Sequence, residues 1–217
     1  MSRIIYNKYD KVQMNTLPPV AFEGNIYVIL NELEAKKAVD FLLTQPVLGV
    51  DTETRPSFKK GETHPVSLLQ VSTESVCFLF RLNRMGISSS VKRLLENTQV
   101  PMIGLSWHDD LLSLHRRGDF TPGLFIDLQD VVGRIGIEDL SLQKLYANIF
   151  GKKMSKRQRL SNWDADVLNP KQQLYAATDA WACVMLYKEI LALEVSGDYE
   201  FVRSPEPAVE NDVETKK

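Results

Sequence analysis

The order of its β-rich and helical segments limits the folds that this 217-residue chain can adopt. Short runs of branched and aromatic residues indicate strands. The first of these are "IYVIL" (26–30), "VLGVDTE" (47–53), "PVSLLQVST" (65–73) and "SVCFLFRL" (75–82). A short polar "TES" segment separates the last two and predicts a hairpin. Helical patterns then alternate with further strands, so the sequence predicts an α/β domain with a mixed sheet.

Composition narrows the class of protein. Hydrophobic residues make up 44% of the chain and charged residues 25%, which is ordinary for a globular protein with a sizeable core. The net charge of −2 predicts no general affinity for polyanions, so nucleic acid would need a local basic patch. Cys77 and Cys183 lie in apolar runs and are typical of core residues in a reducing compartment. No apolar stretch resembles a signal peptide or a membrane span, so we expect a cytoplasmic protein without a membrane partner.

The two ends of the chain differ from its middle. Residues 1–24 are polar and predict an N-terminal arm or a short pairing segment. Residues 201–217 carry two prolines and many charges with almost nothing to bury, so we expect a disordered tail. One domain, at residues 25–200, lies between them.

Two carboxylates follow the apolar run "VLGV" with one residue between them. Asp51 and Glu53 project to the same face if the strand continues through them, because side chains alternate along a strand. Two adjacent carboxylates repel each other, and a divalent cation with oxygen ligands would compensate them. Alternatively, the strand ends at Val50 and both acids are solvated in a loop.

The segment "GLSWHDDLLSLHRRG" predicts a helix that offers a third acid. Ser106 fits the N-cap and Asp109 the acidic position of a capping box. Asp110 lies at the edge of the apolar stripe, near the helix N-terminus, where it suits a site. A surface aspartate that stabilises the helix dipole would look the same.

A fourth acid lies in "NPKQQLYAATDAW", where Asn169 and Gln172 form a capping box. The long helix predicted over 169–194 places Tyr175 and Asp179 four residues apart on one face. Small and apolar neighbours indicate that this face is buried, so Asp179 needs a partner. A metal ion or an arginine would serve.

These three segments, in this order, resemble the motifs of the DEDD superfamily of 3′–5′ exonucleases. The tyrosine four residues before the last acid is typical of the DEDDy branch. "DTETRPSFKKGETHPVSLLQVST" is similar to the first block of the exonucleases of the Werner syndrome type. "GKKMSKRQRLSNWDADVLNPKQQLYAATDAWACVMLYKEI" is similar to the last block of that group and of the ribonuclease D group. The similarity covers roughly residues 25–192.

The resemblance implies a ribonuclease H-like fold, with a central mixed sheet flanked by helices, and two divalent ions, Mg²⁺ or Mn²⁺. It implies that Asp51 bridges both ions and that Glu53 and Asp179 complete the site that activates water. Asp110 would hold the second ion, and Tyr175 would orient the water. All of these residues are present.

Substrate contacts are expected mainly from "GKKMSKRQRL" (151–160), where five basic residues fall within eight positions. Such a cluster in an acidic protein suits phosphate binding, although it also suits a solvated loop. Relatives suggest that the backbone at Thr52 and Thr54 approaches the 3′ end, and exposed aromatics could stack on bases. The candidate nucleic-acid contacts are Thr52, Thr54, Phe58, Trp107, Lys153, Lys156, Arg157 and Arg159.

Three functions remain at this point. The first is a metal-dependent 3′–5′ exonuclease acting on 3′ ends of single-stranded or recessed DNA. The chain ends soon after the third motif, and on this ground we expect the Werner type and DNA rather than the ribonuclease D type. The second is a ribonuclease that trims RNA 3′ ends. The third is a non-catalytic nucleic-acid-binding module on the same fold, which would predict the loss of an acid or of the tyrosine.

Overall fold

A computed structural model describes residues 3–204 and shows an α/β fold built on a mixed sheet. In chain order, its strands are β1 (Arg3–Tyr6), β2 (Pro19–Val20), β3 (Asn25–Ile29), β4 (Leu48–Glu53), β5 (Leu68–Ser72), β6 (Val76–Phe80), β7 (Met102–Gly104), β8 (Phe125–Asp127), β9 (Lys153–Met154) and β10 (Tyr199–Val202). Its helices are α1 (Lys11–Thr16), α2 (Glu32–Leu42), α3 (Leu82–Met85), α4 (Ser89–Leu95), α5 (Trp107–His115), α6 (Leu128–Val132), α7 (Leu142–Phe150) and α8 (Pro170–Ser196).

The central sheet has six strands in the order β3-β6-β5-β4-β7-β8. The pairs β4–β5 and β5–β6 are antiparallel, while β3–β6, β4–β7 and β7–β8 are parallel. The predicted mixed sheet and its hairpin are therefore confirmed. Helices cover both faces of the sheet: α2 and α4 pack on one side, and α6, α7 and α8 on the other.

Strand β4 lies in the middle of this sheet and carries the paired acids. Its first half, Leu48–Val50, is buried. Asp51 pairs with Gln70 and Glu53 with Leu68 in the register with β5. The strand therefore continues through both acids, and the alternative that it ends at Val50 is wrong. Side-chain alternation places both carboxylates on the face that α8 covers.

Helix α8 begins and ends where local sequence signals predict. The Asn169 side chain accepts from the Gln172 N–H at 3.0 Å, and Gln172 Oε1 accepts from the Asn169 N–H at 3.1 Å. This capping box satisfies two N–H groups at the start of the helix. Gly197, with φ 67°, takes the left-handed position after the last turn. The helix therefore starts one turn before Tyr175, which fixes the face that Tyr175 and Asp179 present to β4.

The chain ends are more ordered than their composition predicts. Strand β1 pairs in parallel with β10, and β2 pairs with β9. The expected tail at 201–217 is therefore corrected at its start, since Phe201 and Val202 belong to β10. Strands β1 and β10 are both only four residues long, so the sequence did not show which segments pair. Residues 205–217 of the expected tail lie outside the described residues.

Among residues 3–204, no helix combines the length and apolarity needed to cross a bilayer.

Candidate active site

Three carboxylates converge between β4 and α8. Asp51, Glu53 and Asp179 each offer an oxygen, and these oxygens all lie within 4.8 Å of one another. Glu53 and Asp179 are buried, with 8% and 5% of their surface exposed. Like charges this close repel strongly in a desolvated site, so the cluster requires protons or a cation.

The electrostatics of the cluster follow from its burial. Burial, followed by the charges of Asp179 and Asp110, holds the pKa of Asp51 well above its usual range. Burial and the charge of Asp51 likewise raise the pKa of Glu53. Burial also raises the pKa of Asp179, while the Tyr175 hydroxyl and Lys156 oppose that rise. The site therefore favours positive charge at its centre.

Within residues 3–204, Asp179 forms no ion pair with an arginine. The arginine ion pairs between described residues all lie elsewhere. The Oδ1 atom of Asp179 is buried and lacks a hydrogen-bond partner within residues 3–204. A buried carboxylate oxygen without a partner is costly and indicates a ligand position.

The buried amide of Gln70 supports Asp51 from the neighbouring strand. Its Nε2 atom donates to Asp51 Oδ2 at 3.2 Å. This bond favours the ionised carboxylate and fixes one of its oxygens. The motifs did not single out Gln70, although it stands opposite Asp51 in any antiparallel pairing of this register.

Asp110, in the first turn of α5, lies beside the cluster rather than within it. Its Oδ1 atom accepts a hydrogen bond from the Thr52 hydroxyl on β4. Burial raises the pKa of Asp110 to about 6, and Thr52 opposes the rise. Thr52 points to the opposite face of β4 from Asp51 and Glu53 at this position, and it links Asp110 to the strand that carries them.

The start of α5 differs from the prediction. Ser106 makes no side-chain cap and has φ 62°, a left-handed conformation. Asp109 is highly exposed and only approaches His108, at 3.5 Å. The predicted capping box is therefore wrong. Asp127, at the end of β8, instead accepts from the N–H groups of Ser106 and Trp107 at 3.1 and 2.8 Å.

Tyr175 lies one helical turn before Asp179 and faces the same site. It is buried, and its ring packs near Trp163, with 6.1 Å between ring centroids. Burial and the neighbouring charges of Asp179 and Glu53 hold the pKa of its hydroxyl well above the usual range. The hydroxyl therefore stays protonated and can donate a hydrogen bond.

The residues present fit divalent metal ions. The donor set consists only of carboxylate oxygens. Such a set suits Mg²⁺ or Mn²⁺ better than it suits zinc. The unpartnered Asp179 Oδ1 atom and the raised pKa values show what a cation would compensate.

Comparison with known proteins agrees with this geometry. A model of the 3′–5′ exonuclease family matches residues 26–193. The chain belongs to the 3′–5′ exonuclease family. Its motifs place this exonuclease domain in the DEDD type. Membership of the family implies hydrolase activity on nucleic acid.

Curated relatives share about a third of their aligned residues with this exonuclease domain. The mouse bifunctional 3′–5′ exonuclease/ATP-dependent helicase WRN is 34% identical over 150 residues, which cover 66% of this chain and 11% of the relative. The fruit fly exonuclease 3′–5′ domain-containing protein 2 is 33% identical over 166 residues, covering 75% and 27%. The aligned part thus spans less than a third of either relative.

Solved structures share the fold at lower identity. The EXO domain of Nibbler from Aedes aegypti superposes with a TM-score of 0.71 at 18% identity, covering 81% of this chain and 91% of that one. Escherichia coli ribonuclease D gives 0.70 at 17% identity, covering 79% and 45%. The ribonuclease H-like fold of this exonuclease domain is therefore confirmed.

The basic loop, residues 151–160, approaches the acids from the side of α8. Lys156, Arg157 and Arg159 are exposed. The pKa values of Asp179 and Glu53 are raised overall, and nearby positive charges oppose these rises. Lys156 acts on Asp179 in this way, and Arg159 acts on Glu53. Arg157 and Tyr175 line a neighbouring cavity of about 210 Å³.

Lys153 differs from its neighbours in the basic loop. Its ammonium group donates to the Asn15 carbonyl at 2.6 Å, and its backbone belongs to β9. This side chain ties β9 to the N-terminal segment, and the nucleic-acid contact at Lys153 stays a prediction.

Polar contacts anchor the segment that follows the basic loop. The Ser67 hydroxyl donates to Asp164 Oδ1 at 2.7 Å. The Arg81 side chain is buried and donates to the Ala165 carbonyl. The loop is therefore held by β9 at one end and by the Arg81 contacts at the other.

The two aromatic candidates have opposite environments. Phe58 is 82% exposed in the loop after β4 and is free to stack. Trp107 is only 4% exposed, and its ring packs against Phe125 at 4.8 Å between centroids. The predicted stacking of a base on Trp107 is corrected, because its ring fills the space beside Gly104. Thr52 and Thr54 are partly exposed, as a backbone contact at the site requires.

Proposed function

We propose that this chain is a metal-dependent 3′–5′ exonuclease that hydrolyses phosphodiester bonds from the 3′ end of nucleic acid. The products are nucleoside 5′-monophosphates, and DNA is the favoured substrate. The observation that carries the proposal is the convergence of Asp51, Glu53 and Asp179 within 4.8 Å, with one Asp179 oxygen unpartnered. Residues 25–200 form the nuclease unit in this proposal.

Two divalent ions, Mg²⁺ or Mn²⁺, are the proposed cofactors, and Asp51, Glu53, Asp110 and Asp179 would hold them. Bound ions supply positive charge to the attacking and leaving oxygens of an in-line phosphoryl displacement. The charges of both Asp179 and Asp110 act on Asp51, so Asp51 would share any bound cation with the other acids.

Tyr175 and Glu53 are proposed to orient the attacking water. The Tyr175 hydroxyl remains protonated at working pH, because burial and nearby carboxylates raise its pKa. It therefore acts as a hydrogen-bond donor and not as a base. Glu53 supplies a carboxylate oxygen that accepts a hydrogen bond from the same water.

Lys156 and Arg159 are proposed to bind phosphates of the substrate next to the acids. Their charges already reach Asp179 and Glu53 across the site. Arg157 is proposed to extend this surface, and the backbone at Thr52 and Thr54 is proposed to meet the 3′-terminal nucleotide. Phe58 offers an exposed ring for base stacking.

DNA is favoured over RNA because of the similarity to the Werner-type motifs. DNA polymerase I of Aquifex aeolicus, at 29% identity over 151 residues, is a further relative whose name states DNA. Trimming of RNA 3′ ends is the second candidate. A Trypanosoma brucei ribonuclease D solved with RNA shares the fold with a TM-score of 0.68.

The test is degradation of 5′-labelled single-stranded DNA, recessed duplex DNA and RNA, with Mn²⁺ or with EDTA. Wild type is compared with Asp51→Asn, which keeps the side-chain size but removes the charge. Asp109→Asn is the matched control, since Asp109 is exposed and lies outside the cluster. We expect a metal-dependent ladder that shortens from the 3′ end, lost in Asp51→Asn and kept in Asp109→Asn.

The rates on the three substrates decide between DNA and RNA. Absence of cleavage of every substrate, with nucleic-acid binding intact, would overturn the enzymatic function and favour the non-catalytic binding module.

A further inference from the structure

The turn that leads from β7 into α5 has an unusual backbone. Ser106 is the one non-glycine residue with positive φ in the described part of the chain, at 62°. A left-handed conformation strains a residue that has a Cβ atom. Such strain persists only where surrounding contacts fix it, so the contacts of Ser106 indicate what the turn serves.

Two residues of the next strand–helix junction hold this turn. Both carboxylate oxygens of Asp127 are used: Oδ1 accepts from the N–H of Ser106 at 3.1 Å and of Gln129 at 2.9 Å, and Oδ2 accepts from the N–H of Trp107 at 2.8 Å. The Gln129 amide donates to the Ser106 hydroxyl at 2.6 Å. Asp127 therefore caps α5 from outside the helix, in place of the local cap that Ser106 fails to provide.

The held turn determines where α5 starts, and Asp110 lies in its first turn. Trp107 packs its ring beside Gly104, so the helix cannot slide along β7 without a clash. The only polar partner that the described residues give the Asp110 carboxylate is the Thr52 hydroxyl on β4. Packing of Trp107 thus fixes the helix along β7, while the Asp127 contacts fix the backbone at its start, one turn before Asp110.

We propose that Asp127 and Gln129 are positioning residues for Asp110: they hold Ser106 in its left-handed conformation and so place this fourth acid for divalent-cation binding. The inference rests on the proposed function of the acidic site. Neither residue touches the reacting atoms. Groups that hydrogen-bond directly to metal ligands typically change metal affinity by 10- to 100-fold when they are replaced. Because Asp127 and Gln129 act through the backbone at the start of α5, we expect an effect at the lower end of this range.

The test is Mn²⁺ binding by isothermal calorimetry and Mn²⁺ electron paramagnetic resonance, in parallel with thermal unfolding. Asp127→Asn keeps the side-chain size but replaces one of the two acceptor oxygens with an amide NH₂ group. This donor then faces a backbone N–H, which is also a donor, so one hydrogen bond is lost. We expect the weaker of two Mn²⁺ binding steps to shift about tenfold to higher concentration, while the tighter step stays in place. Asp130→Asn, an exposed acid on the same helix α6, is the matched control.

A rescue separates positioning from general stability. Glycine adopts φ 62° without strain, so it needs less help from Asp127. In the Asp127→Asn background, Ser106→Gly should restore part of the lost Mn²⁺ affinity. If Asp127→Asn does not fold, Gln129→Met removes the contact with Ser106 alone and should shift the same step in the same direction.

The outcomes distinguish the two proposals. If Asp127→Asn and Gln129→Met lower the unfolding temperature but leave both Mn²⁺ steps as in wild type, the residues are only structural and the positioning role is overturned. If the wild-type protein binds no Mn²⁺, the proposed function of the acidic site fails first, and this inference fails with it.

Discussion

Gly49 packs its backbone directly against Ala180: a Cβ atom at Gly49 would lie 2.0 Å from the Ala180 carbonyl oxygen. Gly49 stands two residues before Asp51 on β4, and Ala180 follows Asp179 on α8. The same contact that lets the helix approach the strand therefore sets the separation of the two carboxylates.

Gly49→Ala should consequently damage both stability and activity. The added methyl group overlaps backbone, which cannot move aside as a flexible side chain can, so a loss of about 1–3 kcal/mol or more in the free energy of unfolding is expected. Chemical denaturation and the nuclease assay measure the two effects. Gly133→Ala is the control, because a Cβ atom there meets nothing within 4 Å and φ is negative. Equal behaviour of the two variants would contradict the role of this contact.

The metal-free protein should lose stability as pH rises. The pKa of Asp110 is raised to about 6, and those of Asp51, Glu53 and Asp179 are also raised, so the folded state binds protons more tightly than the unfolded state. This stability is present below the ordinary carboxyl pKa and disappears as pH rises through the raised values. Glu32, Asp40 and Glu138 have lowered pKa values and stay ionised in both states above about pH 5.

Thermal unfolding in EDTA and in Mn²⁺ between about pH 5 and pH 8 tests this linkage. The decline should be present in EDTA, reduced in Asp110→Asn and absent with Mn²⁺. A midpoint in EDTA that stays level or rises over this range would refute the desolvated acidic cluster.

Tyr175→Phe should remove activity without removing the metal site. The protonated hydroxyl is available as a donor, and loss of one positioned donor costs roughly 10²-fold in kcat. Stabilisation by Mn²⁺ should remain, and the residual activity should keep the pH dependence of wild type because the hydroxyl does not titrate in this range. Tyr187→Phe, on the same helix, is the control. A changed pH profile would instead point to Tyr175 as a proton carrier.

Replacement of Lys156 or Arg159 by Gln should raise KM more than it lowers kcat. Each phosphate contact removed should reduce the slope of log affinity against log salt by about one. Binding of single-stranded DNA at several salt concentrations measures that slope. Lys92→Gln, on α4 and paired with Glu96, is the control. An unchanged slope in both loop variants would show that the loop is only solvated.

Phe58→Ala should weaken substrate binding and leave stability unchanged. A base stacked on an aromatic ring contributes about 1–3 kcal/mol, so KM should rise by roughly 5- to 150-fold. The ring is 82% exposed and holds no part of the core. Val12→Ala, at another exposed apolar position, serves as the comparison. If the two variants bind DNA alike, Phe58 does not stack on the substrate.

Strand alternation and helix-capping patterns predicted those parts of the structure that depend on residues close together in the sequence. Strand alternation placed Asp51 and Glu53 on one face, and the capping box at Asn169 located the start of α8. The same rules failed at Ser106, because its cap comes from Asp127, 21 residues away. The signal for Asp127 is an acid between a short strand and a helix, but sequence alone does not show which distant N–H groups it reaches.

Burial and the pairing partners of the chain-end strands escaped prediction for a similar reason. Trp107 and Phe58 are both aromatic residues near acidic motifs, yet only the packing of α5 against β7 and β8 separates a core ring from an exposed one. The pairing of β1 with β10 joins two four-residue segments, "RIIY" and "YEFV", which are too short for a periodic pattern to identify their partners.

The two anchors of the basic loop, the β9 pairing on one side and the Arg81 contacts on the other, have a thermodynamic consequence for substrate capture. A chain segment with both ends fixed has already lost much of its conformational entropy during folding. In the proposed binding mode, nucleic acid would have to immobilise the long side chains of Lys156 and Arg159 but not the path of the backbone, at about 0.5–1.5 kcal/mol for each side chain. Folding therefore already supplies much of the backbone entropy loss of the loop, so that loss would not weaken the proposed binding of a 3′ end.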